Sequence, residues 1–214
     1  MIEAVIFDMD GVLVESEEFM CESAVRMFAE HGLKVTPEDF EPFVGTGENS
    51  YLGGVAKKHD FPIDIERDKA RAYAIYAELV AGRLEPLPGV HEFIGRCRAR
   101  GLKLALATSA DEVKMLVNLR EIGVPPETFD AVAHGLEVEH KKPSPDIFLL
   151  AAKKLGVPAE RCLVVEDAVN GVAAAKAAGA RCLALLTVFT PEKLARADWI
   201  APSLAEAPDD VLDW

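Results

Sequence analysis

The sequence has few cysteines and no long apolar run. Its four cysteines, Cys21, Cys97, Cys162 and Cys182, lie far apart without a C-x-x-C pair, which is typical of small core residues in a reducing compartment. We therefore expect a cytoplasmic protein. No apolar run approaches the ~20 residues that a membrane helix needs. The first residues show no basic segment followed by an apolar core, so a secretion signal is not expected either.

Positive charge is also scarce. The 214 residues include 23 Lys and Arg against 36 Asp and Glu, which gives a formal net charge of -13. Binding to a nucleic-acid backbone requires a basic surface, and so does docking on an anionic membrane. The charge balance therefore predicts neither partner and favours a small molecule.

Short apolar runs alternate with helical patterns over most of the chain. Runs of this length predict strands buried on both faces, as in a parallel sheet, and each following helical pattern stops at a glycine. The predicted strands are 4–7, 102–107, 131–133, 162–165 and 182–186, and the helices between and around them are 90–100, 111–122, 146–155 and 168–178. The alternation predicts an α/β fold with a doubly wound parallel sheet.

One stretch departs from this alternation. Between the first two predicted strands lie about seventy residues with three helical patterns, at 17–31, 47–59 and 65–83. A crossover connection needs only about a dozen residues, so we predict a helical cap domain at 15–85. The α/β core would then consist of 1–14 and 86–214, re-entered through a proline-rich linker.

The first strand ends at two carboxylates, Asp8 and Asp10, followed by Gly11. Two residues apart on an extended chain, their side chains point the same way. One carboxylate could act as a nucleophile and the other as a general acid and base, with a cation to neutralise both. Taken alone, the group could equally be a turn that closes the strand.

Three further polar groups follow predicted strands. They are Thr108-Ser109-Ala110 at a helix start, Lys141-Lys142-Pro143 before another helix, and Glu166-Asp167 after the fourth strand. A hydroxyl with free amides can bind an anion, and a positioned lysine can neutralise phosphate and carboxylate charge. Four carboxylates at one sheet edge would require a hard cation such as Mg2+. Each group alone could instead be a helix cap or a solvated turn.

In this order, the four groups resemble the motifs of the haloacid dehalogenase (HAD) superfamily. The resemblance is carried by FDMDGVL at 7–13, ATSA at 107–110, KPSPDIF at 142–148 and VVEDAVNGVAAAKAAG at 164–179. The predicted cap domain lies where the first cap type of that superfamily lies. The resemblance implies a Mg2+-dependent phosphatase or phosphomutase acting on a small phosphorylated metabolite, such as a sugar phosphate or phosphoglycolate, and we expect a monomer. Dehalogenases lack an aspartate corresponding to Asp10.

The resemblance also implies a role for each acidic residue. Asp8 would form an aspartyl-phosphate and bind Mg2+. Asp10 would protonate the leaving alcohol, then activate water, and place its backbone carbonyl on the metal. Asp167 would bind the metal directly, and Glu166 would bind it directly or through water.

The remaining motif residues would hold the phosphoryl group. Thr108 and the amides of Ser109 and Ala110 would bind the transferring phosphoryl. Lys142 would bridge Asp8 and the phosphoryl group.

Within the superfamily, the sequence is similar to the β-phosphoglucomutase-like group, which contains mutases and phosphatases. The mutases carry a histidine where this chain has Met20, and a basic residue in the cap loop where this chain has Glu48. A carboxylate facing a second phosphate is repulsive, so a phosphatase is favoured and a mutase is the alternative. A third alternative, a regulatory module without catalysis, would be expected to lack one of the motif residues, and all are present.

The cap loop is the expected substrate-contacting segment. Its candidate residues are Gly45, Thr46, Gly47, Glu48 and Asn49. The stretch GTGENSYLGG at 45–54 resembles the HAD domain of plant suppressor-of-quenching proteins, a similarity expected to concern the cap only. The identity of the substrate depends on this loop.

Overall fold

The computed structural model describes residues 1–43 and 47–214. Within these residues, six parallel strands form one sheet in the order β3-β2-β1-β4-β5-β6. The strands are β1 (Ala4–Phe7), β2 (Lys103–Ala107), β3 (Ala131–Ala133), β4 (Cys162–Glu166), β5 (Arg181–Leu185) and β6 (Trp199–Ala201). The predicted α/β fold with a doubly wound parallel sheet is confirmed.

Helices cover both faces of the sheet. In the described residues they are α1 (Glu17–Glu30), α2 (Glu48–Lys58), α3 (Ile65–Val80), α4 (Val90–Ala99), α5 (Glu112–Glu121), α6 (Asp146–Leu155) and α7 (Val169–Ala177). Phe7 packs with α4 and α5 on one face, whereas Ile6 packs with α6 and α7 on the other. Alternate residues of β1 therefore face different halves of the core, as expected for a strand buried on both sides.

The register of the sheet brings the predicted site residues to one edge. Phe7 of β1 pairs with Leu106 of β2 and with Val165 of β4. The residues that follow these three positions therefore lie side by side at the carboxyl ends of the strands. The strand order reverses between β1 and β4, and ligands of open α/β sheets bind at such a switch point.

Helices α1, α2 and α3 follow β1, and with their connecting segments they pack around an aromatic cluster that is continuous with the half of the core containing Phe7. Phe28 meets Phe61 edge to face with ring centroids 5.8 Å apart, and Phe40 lies 4.8 Å from Tyr51. The side chain of Asp64 caps α3 by accepting the amide of Arg67 at 3.2 Å. We call α1–α3 the helical insert.

The two connections to the helical insert run side by side. Val14 forms a bridge with Pro86, and the amide of Leu87 donates to the carbonyl of Leu13 at 2.9 Å. The chain therefore leaves and re-enters the sheet at one place, next to the end of β1.

The sequence expectations fail at two places in the sheet. The edge strand β6 was not predicted, because Trp199 and Ile200 are only half-buried and form no continuous apolar run of the kind that marks a central strand. Strand β4 extends through Glu166, which was expected to follow the strand rather than end it.

Candidate active site

Three carboxylates form an acidic cluster where β1 and β4 end. Asp8, Glu166 and Asp167 are all buried, and one oxygen of each lies within 4.8 Å of the others. The ammonium of Lys142 lies 2.7 Å from Asp8 Oδ1 and 2.5 Å from Glu166 Oε1. The Lys142 side chain is only 10% exposed, so one buried cation faces three buried carboxylates.

Glu166 is fixed more tightly than the other two. Its Oε2 accepts the amides of Asp167 and Ala168 at 2.8 and 2.9 Å, while Oε1 accepts from Lys142. Its carboxylate also packs against Gly171 of α7, where an added Cβ would overlap it. Gly171 thus supplies the space in which Glu166 is seated.

Burial and mutual repulsion make the acidic cluster hard to ionise. Burial raises the pKa of Asp8 to about 7, against the lowering effect of Lys142. Burial, with the charges of Glu166 and Asp8, raises the pKa of Asp167 to about 9. Although burial disfavours the charged form of Lys142, the carboxylates of Asp8 and Glu166 hold its pKa above the usual range. The cluster is short of positive charge, and an all-oxygen donor set of this kind suits Mg2+.

The side chain of Asp10 lies outside this cluster and faces the helical insert. Its Oδ1 accepts the hydroxyl of Ser16, and its Oδ2 accepts from the ammonium of Lys114 at 2.9 Å. Lys114 is buried and also lies 3.6 Å from Glu17 Oε1. Burial works against its charge, but the carboxylates of Asp10, Glu17 and Glu48 raise its pKa.

Lys114 is a residue of the site that the sequence did not predict, as are Ser16, Glu17 and Tyr51. It lies in the first turn of α5, directly after the 108–110 segment. A signal was present, because Lys114 and Asn118 occupy an i, i+4 pair on the helix face that is buried with Met115 and Leu119. Two polar residues on the buried face of a helix require buried partners.

The predicted phosphoryl-binding segment follows β2. Thr108 is buried, and its Oγ1 accepts the amide of Ala110 at 3.1 Å. The carbonyl of Ala110 accepts the amide of Gly135 at 2.9 Å, which ties this loop to the end of β3. Thr108, Ser109 and Ala110 line the same cavity as Asp8 and Lys142.

That cavity has a volume of about 470 Å3 and lies between the sheet edge and the helical insert. The insert contributes Glu17, Met20, Glu48 and Tyr51 to its wall. Glu48 is buried at the start of α2, and burial raises its pKa to about 7.

The five predicted cap-loop residues do not share one position. Gly47 and Glu48 line the cavity, whereas Asn49 is directed to Lys69, which donates to it at 2.7 Å. The predictions for Gly45 and Thr46 lie outside the described residues.

Polar contacts join the helical insert to α5. Lys69 of α3 donates to Asp111 at 2.7 Å, and both side chains are 10% exposed. Tyr76 of α3 donates its hydroxyl to Asn118. The insert therefore lies against the helix that also carries Lys114.

The fold is a parallel α/β sheet with buried carboxylates and a lysine at its switch point, where ligands of this class of fold bind. The family model for haloacid dehalogenase-like hydrolases matches residues 2–179. The chain belongs to this family, and the resemblance drawn from its motifs is confirmed.

Several curated relatives are phosphatases or related proteins. The chain is 34% identical over 178 residues to a phosphorylated carbohydrates phosphatase of Thermotoga maritima, covering 83% of this chain and 82% of that protein. It is 45% identical over 192 residues to the SUPPRESSOR OF QUENCHING 1 protein of Arabidopsis thaliana, which covers 88% of this chain but only 18% of that protein. This similarity reaches far beyond the cap loop, so the expectation that it concerns the cap only was wrong. That relative is chloroplastic, and the cytoplasmic location stays a prediction.

Among solved structures, CbbY from Rhodobacter sphaeroides in complex with phosphate superimposes with a TM-score of 0.87 at 33% identity, over 96% of both chains. A mutant of the same protein in complex with xylulose-(1,5)bisphosphate gives the same TM-score. Family and relatives together identify an enzyme of the HAD phosphatase group, which removes the non-catalytic alternative. Among the described residues, no helix is long and apolar enough to cross a membrane.

Proposed function

We propose that this protein hydrolyses small phosphomonoesters through a covalent aspartyl-phosphate on Asp8. The observation that carries the proposal is one cavity in which Asp8 and Asp10, the Thr108 loop and Lys142 come together from three separate parts of the chain. A nucleophile, a cation, a proton carrier and an anion-binding loop are the groups that phosphoryl transfer requires.

In the first step, an oxygen of Asp8 attacks phosphorus as the bond from phosphorus to the leaving oxygen breaks. Asp10 gives its proton to that oxygen, so the alcohol leaves neutral. Lys142, 2.7 Å from Asp8 Oδ1, offsets negative charge on both the nucleophile and the phosphoryl oxygens.

In the second step, water attacks the phosphorus of the aspartyl-phosphate and Asp10 takes its proton. The bond between phosphorus and Asp8 breaks, which restores the carboxylate and releases inorganic phosphate. Ser16 and Lys114 hold the Asp10 carboxylate in place from one step to the next.

We further propose that Mg2+ is the cofactor. Asp8 and Asp167, with Glu166 directly or through water and the carbonyl of Asp10, would hold it. The fit rests on the oxygen donors of the acidic cluster, supported by the burial and mutual repulsion that raise the pKa values of Asp8 and Asp167 and that a cation would offset. When bound, Mg2+ would neutralise charge on the nucleophile and on the phosphoryl group.

Residues 15–85 are proposed to act as a cap over this site. The paired connections at Val14 and Pro86 provide one place about which such a unit could turn. Closing it would exclude bulk water from the aspartyl-phosphate. We propose a phosphorylated carbohydrate as the substrate, since the Thermotoga relative is named for that class and CbbY was solved with a sugar bisphosphate.

The nucleophile is tested with Asp8→Asn, which is isosteric and cannot form a stable acyl phosphate. We expect phosphate release from p-nitrophenyl phosphate with Mg2+ to be lost while the circular dichroism spectrum stays unchanged. The matched control is Asp210→Asn, the same change at an exposed position that does not line the cavity. A wild-type rate in Asp8→Asn would refute the assignment.

A further inference from the structure

Among the described residues that line the cavity, Glu48 carries a buried side-chain oxygen without a partner. Glu48 is 7% exposed and lines the cavity, and its Oε2 has no hydrogen-bond partner among the described residues. Leaving a buried carboxylate oxygen unpaired is unfavourable, because the oxygen has lost its hydrogen bonds to water without gaining others. Such an atom in a ligand cavity is suited to accept a hydrogen bond from the ligand.

The lysines near Glu48 already have other hydrogen-bond or ion-pair partners. Of the lysines in the described cavity wall, Lys114 is held by Asp10 and Glu17, Lys141 donates to the carbonyl of Gly135, and Lys142 belongs to the acidic cluster. Glu48 therefore adds negative charge to a wall that Glu15 and Glu17 already make acidic.

We propose that Glu48 selects the leaving group by accepting a hydrogen bond from a hydroxyl of an uncharged polyol, and by repelling a second phosphate or a carboxylate. The inference rests on the proposed phosphatase activity and deepens it. The preferred substrate class is then the monophosphate of a neutral sugar or polyol. Sugar bisphosphates and phosphorylated acids are disfavoured, although they would fit a cavity of this size.

The chemistry requires no further group. Oε2 of Glu48 accepts a hydrogen bond and a substrate hydroxyl donates it, while the carbon skeleton lies in the cavity that the phosphoryl site and the start of α2 both line. Met20 and Tyr51 supply apolar surface for that skeleton on the same wall.

The test compares three substrates that share one carbon skeleton: glucose 6-phosphate, 6-phosphogluconate and glucose 1,6-bisphosphate. They are assayed with saturating Mg2+ at pH 8, above the pKa of about 7 to which burial raises Glu48. We expect wild-type kcat/KM for glucose 6-phosphate to exceed that for each of the other two by at least about tenfold.

Two substitutions separate charge from hydrogen bonding. Glu48→Gln keeps an acceptor oxygen but loses the charge, so the ratio of kcat/KM for 6-phosphogluconate to kcat/KM for glucose 6-phosphate should rise by at least about threefold. Glu48→Arg should lower the ratio of glucose 6-phosphate to glucose 1,6-bisphosphate by at least about tenfold. Glu66→Gln and Glu66→Arg make the same changes at an exposed position of α3 and should leave every ratio within about twofold.

A wild-type preference for the anionic substrates would overturn the proposal, and so would substrate ratios that Glu48→Gln leaves unchanged. Turnover of p-nitrophenyl phosphate without turnover of glucose 6-phosphate would overturn it as well. If wild type hydrolysed none of the four esters, the proposed phosphatase function itself would fail, and with it the inference that rests on it. Retained turnover of p-nitrophenyl phosphate in each variant shows that folding and the phosphoryl site are intact.

Discussion

Replacing Lys142 by methionine removes the cation from the acidic cluster. Lys142 contacts Asp8 at 2.7 Å and Glu166 at 2.5 Å, and its side chain is only 10% exposed. Removing one partner of a buried ion pair destabilises a protein by about 3–5 kcal/mol, because the remaining charge has no compensation. We expect a loss of this size in the free energy of unfolding of Lys142→Met at pH 8 in EDTA.

The loss should depend on pH in a defined direction. Burial raises the pKa of Asp8 from 3.8 in the unfolded chain to about 7 in the folded protein. The folded state therefore binds more protons than the unfolded state between these values, and its stability falls as the pH rises through that window. The charge of Lys142 lowers the pKa of Asp8 in the folded protein. Removing Lys142 therefore raises that pKa further and enlarges its difference from the value in the unfolded chain. The loss in Lys142→Met should accordingly be smaller at pH 5, where Asp8 is protonated, than at pH 8.

The measurement is urea unfolding followed by circular dichroism at both pH values, with EDTA and with saturating Mg2+. The matched control is Lys58→Met, which removes an exposed ion pair to Asp39 at 2.8 Å and should lose less than about 1 kcal/mol. Mg2+ should restore part of the stability of Lys142→Met at pH 8. A loss that is equal at pH 5 and pH 8, or that is below about 1 kcal/mol at pH 8, would refute the reasoning.

Three further outcomes are expected. Mg2+ should bind more tightly as the pH rises from 6 to 9, because protons on Asp8 and Asp167, with pKa values of about 7 and 9, compete with the cation. Titration calorimetry should show this rise in affinity, and an affinity that does not change with pH would contradict it. EDTA should abolish phosphate release, Mg2+ should restore it, and Ca2+ should replace it poorly. With a bisphosphate primer, glucose 1-phosphate and glucose 6-phosphate should not interconvert faster than phosphate is released, whereas faster interconversion would establish a mutase.

Much of the sheet could be predicted because its strands are buried on both faces. Ala4–Phe7 and Cys162–Val165 are uninterrupted apolar runs that stop at acidic residues, and this pattern indicates both a strand and its functional end. The edge strand Trp199–Ala201 has neither property, since it is short and half-buried. Its assignment depends on pairing with β5, which is tertiary information.

The contacts between distant segments of the site could not be predicted from the sequence. The motifs place Asp8 at the end of a strand and Lys142 before a helix, but the ion pair between Lys114 and Asp10 joins residues 104 positions apart. Likewise, the sequence identifies Glu48 as an acidic residue in a cap loop without indicating that it is buried. Both features arise from the packing of the helical insert on α5, which no local pattern specifies.

At Gly171, a substitution that would stabilise the helix would also disturb the acidic cluster. A glycine inside a helix is about 1 kcal/mol less favourable than alanine, so Gly171→Ala would be an obvious choice for making α7 more heat-resistant. Its methyl group would overlap the carboxylate of Glu166, and the gain in helix formation would be made at the expense of the site. Gly95 in α4 offers the contrast, because an added Cβ there meets no described atom within 4 Å. Engineering for heat resistance can therefore begin at Gly95 and should leave Gly171 unchanged.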